Sequence, residues 1–260
     1  MKIIRGGDKG FFANCNDVAR HISQSLARNE QWFIFWGPEI PYHDATKGNN
    51  SWEYYFEQTF SLTNPNYEVS GCVELIQAQG SFRDTMNYIY KNYIKINNTT
   101  ELVLKPYVEL FKDKNVLGVH IRRTDKFLIG EFGTPPSQAP IDLDIFKKEI
   151  NNIIDDYDII YLATDCSEAL DYMKAEYGTR LVYNTDCTRG YGTVSIHNNF
   201  KEISGYKKGL DVVVDAYNLA NCNYLIRSTS NVSIASLYIN NKLPFLNIND
   251  KYLNDNDGLL

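Results

Sequence analysis

The chain has 260 residues, of which 43% are hydrophobic, and it carries a formal net charge of -6 at pH 7. This length can bury a sizeable core, and we expect two compact halves. Because acidic and basic residues are mixed along the chain, no broad basic surface is present to bind nucleic acid, and any anion site must be local.

The first half begins with the pattern of a βαβ unit. The letters "KII" predict a strand, a glycine-rich turn follows, a helix is predicted from about Asp17 to Ala27, and "WFIFW" predicts a buried strand. After a loop rich in turn formers, helical patterns return between about Cys72 and Lys112. They are interrupted at residues 97–100, where we expect a threonine cap, and Pro106 predicts a kink or a break.

The second half alternates regularly between strands and helices. Strands are predicted at "NVLGVHI", "IIYLAT", "RLVYN", "YLIR" and "PFLNI". Helices are predicted from Asp142, as cap, to residue 157, from residue 167 to Gly178, from Gly209, and in "NVSIASLYIN". This order predicts a doubly wound α/β domain that binds ligands where its strands end. We place the first domain at residues 1–112 and the second at residues 113–260.

Cysteine usage and hydropathy limit the cellular setting. The chain has five widely spaced cysteines and no C-x-x-C pair, so we expect reduced thiols and no zinc or redox site. It has no apolar signal region at the N-terminus and no uncharged apolar run of about 18 residues. These features predict a cytoplasmic protein without a transmembrane segment, and they leave peripheral contact with a membrane open.

Residues 116–126, "VLGVHIRRTDK", run from an apolar strand directly into a block of charge. Arg122 and Arg123 suit a diphosphate, because a guanidinium makes bidentate bonds to phosphate and stabilises a departing anion. Alternatively, one arginine pairs with Asp125 and the other is solvated. Neighbours on a strand point to opposite faces, so we expect one arginine to meet the ligand, and Arg123 is our first choice.

Three segments, in order, resemble the motifs of glycosyltransferases that use GDP-fucose, especially α-1,6-fucosyltransferases and nodulation fucosyltransferases. "GVHIRRTDK" is similar to the first motif almost letter for letter, "YLATD" to the second and "GLDVVVDAYNLANCNYLIRSTSNVS" to the third. The resemblance covers most of residues 116–239 and implies a glycosyltransferase B fold, with two Rossmann-like domains facing across a cleft. In the first half only the glycine-rich turn is similar, so no acceptor is implied.

The resemblance also implies roles at the donor. It assigns Arg122 and Arg123 to the diphosphate, and His120 and Asp215 to the guanine or its ribose. A carboxylate at Asp215 can accept hydrogen bonds from both the ring N–H and the exocyclic amine of guanine, a pairing that adenine and uracil do not offer. For Asp211, one turn earlier, we expect only a favourable interaction with the helix dipole.

Ser230 and Asn231 lie in a turn that leads into a helix, where backbone N–H groups favour phosphate. They either contact the donor or cap the helix, and both roles can coexist. The chain departs from the family here, since Asn231-Val232 replaces a serine-glutamine pair. Asp165 either orders the site or caps the following helix, and Cys166 stands where the family often has another aspartate.

By position in the family, Glu131 is the expected base that takes the proton of the acceptor hydroxyl, although its spacing from the charged block looks one residue longer than in the family. Alternatively, it is an exposed loop glutamate without a role. His197 resembles a position that faces the donor, or it is merely solvated. Asp125 and Lys126 are expected to tie their loop to the arginines.

In the first half, Gly10 lets backbone approach the donor and Asn14 offers a hydrogen bond. An aromatic segment nearby either stacks on an acceptor sugar or packs the domain boundary: Trp52, Tyr54 and Tyr55.

The sequence therefore predicts an inverting glycosyltransferase that moves fucose from GDP-fucose to a carbohydrate acceptor. It needs no metal and no other cofactor, because two arginines and a helix N-terminus neutralise the diphosphate. Two alternatives remain open. The donor is another GDP-linked hexose or heptose, since the arginines do not read sugar hydroxyls, or the protein binds nucleotide or carbohydrate without catalysis. Neither the acceptor, the linkage nor the oligomeric state is predicted.

Overall fold

The computed structural model describes residues 1–59, 81–128, 136–194, 200 and 202–254. In the first half, strand β1 (Lys2–Arg5), helix α1 (Phe11–Ala27) and strand β2 (Trp32–Phe35) form a βαβ unit. The two strands pair in parallel, with Ile3 opposite Phe33. The predicted order of these three elements is confirmed.

Helix α1 begins at Phe11 rather than near Asp17, because the glycine-rich turn is shorter than expected. Phe11 and Phe12 are only 2% and 1% exposed, so they belong to the apolar core and not to the turn. The side chain of Asn14 accepts a hydrogen bond from the backbone N–H of Gly7 at 2.8 Å, which closes the turn onto the helix.

Two further helices of the described residues are α2 (Phe82–Tyr93) and α3 (Asn98–Phe111). The expected threonine cap of α3 is wrong: the side chain of Asn97 caps it, accepting from the backbone N–H of Thr100 at 2.9 Å. Pro106 does not end α3, which continues through it. Pro106 and Leu102 are both exposed, so water can bond the Leu102 carbonyl that a proline leaves without an N–H partner.

The strands of the second half are β3 (Val116–Ile121), β4 (Ile159–Thr164), β5 (Leu181–Tyr183), β6 (Tyr224–Arg227) and β7 (Phe245–Asn247). Its helices are α4 (Leu143–Asn151), α5 (Ser167–Tyr177), α6 (Gly205–Ala220), α7 (Asn231–Ile239) and α8 (Ile248–Leu253). The strands form one parallel sheet in the order β5-β4-β3-β6-β7. This is the predicted doubly wound arrangement, whose strand order reverses between β3 and β6.

Some element ends in the second half agree with the sequence prediction and others do not. Asp142 caps α4 by accepting from the backbone N–H of Asp144 at 2.9 Å, and Gly178 ends α5. Helix α4, however, ends at Asn151, and α8 was not predicted.

Helix α6 begins at Gly205, four residues before the predicted start at Gly209. Its first turn is capped by Ser204, whose hydroxyl accepts from the backbone N–H of Lys207 at 3.2 Å. The extra turn is therefore fixed by a side chain that lies five residues before the predicted start of the helix.

The two halves of the chain share packing contacts. Helix α2 packs against α1 and α7, and α3 packs against α6. The rings of Tyr107 and Phe111 in α3 lie 5.9 and 5.6 Å from the ring of Tyr161 in β4. Elements that the sequence assigns to the first domain thus contact the second sheet, and the domain boundary after residue 112 stays a prediction.

We expect Gly205→Ala to destabilise the protein by about 1–3 kcal/mol through overpacking. A Cβ at this position would lie 2.3 Å from the carbonyl oxygen of His43 and 2.5 Å from the backbone carbon of Tyr42, so main chain would have to move. Urea unfolding of both proteins measures the difference. Gly7→Ala is the control, because its Cβ would meet only the Lys9 side chain at 4.0 Å. Equal losses in both variants would contradict the packing argument.

Candidate functional site

A cavity lies at the carboxyl ends of β3 and β4, beside the first turns of α6. Four residues that the sequence assigns to a donor site line it together: His120, Arg122, Asp165 and Asp215. The remaining lining residues are Thr164, Cys187, Thr188, Lys208, Asp211, Val212 and Val232. The cavity adjoins the point where the strand order of the sheet reverses, which is where doubly wound domains bind ligands.

Arg122 is held between two carboxylates. Its guanidinium lies 2.5 Å from Asp125 Oδ1 and 2.7 Å from Asp165 Oδ2, and its side chain is 15% exposed. Burial lowers the pKa of Arg122, but the charges of Asp165 and Asp125 outweigh burial and raise it. The guanidinium is therefore a permanent cation in the cavity wall, oriented by two ion pairs.

Arg123, our first choice for the ligand-facing arginine, is not among the lining residues. Its guanidinium donates to the carbonyl of Ile141 at 2.7 Å and lies 4.8 Å from the ring centre of Phe127. The two arginines point in different directions, as predicted, but both lie beyond the last residue of β3, so the turn rather than strand alternation sets their directions. The structure places Arg122, and not Arg123, at the cavity.

Asp165 orders the turn that follows β3. Besides the ion pair with Arg122, it accepts a hydrogen bond from the backbone N–H of Arg123 at 3.0 Å and another from the Thr124 hydroxyl. Helix α5 has Cys166 as its first flanking residue and no side-chain cap there. Of the two roles that the sequence left open, ordering the site is the one that these contacts support.

His120 lines the cavity and is 4% exposed. Burial lowers its pKa to about 3, so the imidazole is neutral at physiological pH. No described residue provides a hydrogen-bond partner for its Nδ1 atom. A buried ring nitrogen in this state can accept or donate one bond to a bound molecule.

Asp215 and Asp211 lie one turn apart on α6 and both line the cavity. Asp215 accepts a hydrogen bond from the Tyr161 hydroxyl at 2.8 Å, and burial raises its pKa to about 7. Asp211 pairs with Lys207 and accepts from the backbone N–H of Thr188 at 3.2 Å. Asp211 therefore fastens the loop after β5 to the helix, a role beyond the dipole interaction we expected.

Ser230 and Asn231 stand at the N-terminus of α7, as predicted. The Ser230 hydroxyl accepts from the backbone N–H of Val232 at 3.3 Å and caps the helix. Asn231 Oδ1 accepts from Asn16 Nδ2 at 3.2 Å, and Asn16 in turn accepts from the Tyr90 hydroxyl at 2.7 Å. The capping role is present, and the contact with a donor stays a prediction.

Gly10 and Asn14 lie at the start of α1 and are not among the lining residues. The Asn14 amide is occupied by the glycine-rich turn, since its Nδ2 donates to the carbonyls of Gly7 and Lys9 at 3.1 and 3.2 Å. A Cβ on Gly10 would meet nothing within 4 Å, so no packing contact requires glycine there.

The aromatic segment of the first half packs in the core. Trp52 and Tyr55 are 0% exposed, and Tyr54 is 7% exposed. These values favour packing over sugar stacking. Two further predicted residues, Glu131 and His197, lie outside the described residues, so their roles stay predictions.

The sequence analysis missed Lys208, Cys187 and Thr188, which line the cavity. Lys208 precedes Asp215 by two helical turns and so shares its side of α6. The sequence shows this spacing, but it places Lys208 beside Asp215 only if the helix is known to begin at Gly205.

Two kinds of feature are absent from the described ranges, a metal-binding cluster and a membrane-spanning helix. No three His, Cys, Asp or Glu side chains there are grouped so as to hold a metal ion. None of the helices in the same ranges is long and apolar enough to cross a membrane.

No family model and no curated protein matches the chain. Among solved structures, NodZ α-1,6-fucosyltransferase soaked with GDP-fucose matches with a TM-score of 0.55 and 16% identity, over 92% of this chain and 91% of that one. Fucosyltransferase NodZ from Bradyrhizobium matches with a TM-score of 0.55 and 15% identity, over 90% of each chain. The predicted α/β fold is confirmed, and it is similar to the fold of these fucosyltransferases.

Asp215→Asn should change how stability depends on pH. The pKa of Asp215 is raised from 3.8 to about 7, so the carboxyl group of Asp215 binds its proton more tightly in the folded protein than in the unfolded chain. Wild-type stability should fall relative to the variant as pH rises from about 4 to about 7, by at most about 4 kcal/mol, and the difference should then level off.

Denaturant titrations at several pH values measure this difference. Asp171→Asn, at an exposed position of α5, is the control and should show no such trend. Parallel pH profiles for wild type and Asp215→Asn would contradict the burial of an ionisable carboxyl here.

Proposed function

We propose that this protein is an inverting glycosyltransferase that transfers fucose from GDP-fucose to a carbohydrate acceptor. The observation that carries the proposal is the convergence of Arg122, His120 and Asp215 in one cavity at the carboxyl edge of the sheet. The fold is that of NodZ, an α-1,6-fucosyltransferase soaked with GDP-fucose in one of its crystal structures.

The guanine of the donor fits in the cavity beside Asp215 and His120. Asp215 Oδ1 accepts from Tyr161, which leaves lone pairs on both oxygens for the ring N–H and the amine of guanine. His120, neutral and with Nδ1 unbonded among the described residues, can hydrogen-bond the base or the ribose. These two groups support a preference for guanine over adenine and uracil.

The diphosphate end fits beside Arg122 and the start of α7, where Val232 lines the cavity. A helix N-terminus offers backbone N–H groups and the positive end of the helix dipole to an anion. When the bond between fucose and the β-phosphate breaks, its electron pair stays on the phosphate oxygen. Fixed positive charge at this place stabilises the leaving group.

In the proposed reaction the acceptor oxygen attacks the anomeric carbon from the side opposite the phosphate, which inverts the configuration. Glu131, assigned by the resemblance, takes the hydroxyl proton. We propose that the second domain, residues 113–260, holds the donor, that the first domain, residues 1–112, receives the acceptor, and that no metal is needed. A cytoplasmic location stays part of the proposal.

A nucleotide panel tests the proposal. We expect GDP, but not UDP, ADP or CMP, to raise the melting temperature, because binding to the folded state at a hundredfold excess over the dissociation constant contributes about 2.7 kcal/mol. Differential scanning fluorimetry measures the shift. Competition among GDP-fucose and other GDP-hexoses or GDP-heptoses then identifies the sugar. A shift with a nucleotide other than GDP, or with none, would refute the proposed donor.

Glu131→Gln should bind GDP-fucose as the wild type does and lose about 100-fold or more in turnover, as expected when a general base is removed. The measurement is release of GDP from GDP-fucose in the presence of an oligosaccharide mixture. Glu109→Gln, at an exposed position of α3, is the control. Donor binding without any turnover in the wild type would favour the non-catalytic alternative.

A further inference from the structure

Lys208 is a buried cation in the cavity wall that the sequence analysis did not identify. It lies in the first two turns of α6, is 8% exposed and lines the cavity together with Arg122. These two are the cationic members of the lining set. Lysine is almost never this buried unless its charge is paired.

The ammonium of Lys208 has neither a hydrogen bond nor an ion pair with any described residue, whereas the cavity arginine has both. Burial lowers the pKa of Lys208, and the carboxylate of Glu202 offsets part of this effect from a distance. An unpaired charge taken out of water costs free energy that the described residues do not recover. A bound anion in the cavity would compensate it.

The cavity carboxylates on α6, Asp211 and Asp215, do not form an ion pair that would compensate the charge of Lys208. Asp211 is paired with Lys207, which also donates to the carbonyl of Asp186. Asp215 accepts a hydrogen bond from the Tyr161 hydroxyl at 2.8 Å and has no ion pair with Lys208. Adjacent residues of a helix point about 100° apart, so Lys207 serves the loop while Lys208 is turned toward the cavity.

The charge around Arg122 explains why a second cation is needed. Arg122 contacts two carboxylates, Asp125 and Asp165, and the three groups together carry a net charge of -1. A diphosphate that approached Arg122 alone would meet these two carboxylates at close range. Lys208 supplies positive charge in the same cavity, and no carboxylate of the described residues forms an ion pair with it.

We infer that Lys208 binds the diphosphate of the nucleotide donor, with Arg122 as its partner. The inference rests on the proposed function, because it assumes a guanosine diphosphate in this cavity. A lysine ammonium is a compact charge with three donors, and it binds phosphate oxygens without the fixed geometry of a guanidinium. It can therefore follow the β-phosphate as charge develops there.

Isothermal titration calorimetry with guanosine and GDP tests the inference. Lys208→Met keeps most of the apolar stem and removes the charge. It should weaken GDP by about tenfold or more, the usual effect of losing a charged hydrogen bond, and leave guanosine unchanged. Lys208→Arg should retain most of the GDP affinity. Lys105→Met, at an exposed position of α3, is the matched control and should change neither ligand.

A second readout separates binding from a structural role. Without ligand, Lys208→Met should melt at or above the wild-type temperature, because it removes an unpaired buried charge. A lower melting temperature, or equal losses for guanosine and GDP, would overturn the inference, and so would unchanged GDP affinity. A wild type that binds GDP while Lys208→Met binds it equally well refutes this inference alone. A wild type that does not bind GDP refutes the proposed function as well.

Discussion

The ion pairs of Arg122 fix the geometry on which the candidate site depends. Arg122 follows the last residue of β3, and its guanidinium joins Asp125 in the next turn to Asp165 at the end of β4. Asp165 also bonds the backbone of Arg123, so the ends of two adjacent strands are fastened to each other. If either carboxylate were lost, a buried charge would stay partly uncompensated, which is costly. One cluster of charge therefore both joins two strand ends and lines the candidate site.

Most of the second half could be predicted from the sequence, because parallel strands buried on both faces appear as continuous apolar runs. The strands β3 and β4 are such runs, and each is followed by a polar turn and an amphipathic helix. The errors fall where a single side chain or the tertiary structure decides. Phe11 and Phe12 look like part of a glycine-rich turn, yet burial draws them into α1. Asn97 and Ser204 fix helix starts that periodicity does not reveal.

The site was predictable as far as motif residues go, and less so in the details of orientation. The sequence around Arg122 identifies a block of charged residues. It does not show whether the guanidinium of Arg122 or that of Arg123 faces the cavity. That choice depends on where Asp165 and Ile141 lie in space. Lys208 was missed for a related reason, since its importance comes from the partners it lacks among the described residues. An absent contact has no signature in a sequence.

The hydrogen bond between Asn16 and Asn231 has a consequence for how the chain folds. It links α1 to α7 across a separation of 215 positions, and both helices contribute to one apolar core. Contacts between distant positions form slowly, because the entropy of closing a long loop is lost before the contacts contribute any favourable free energy. On the ribosome, α1 emerges well before α7, so the part of its apolar side that packs on α7 stays uncovered until α7 has been made, although β1, β2 and α2 can already cover the rest. During that interval the uncovered apolar surface makes the growing chain more open to aggregation.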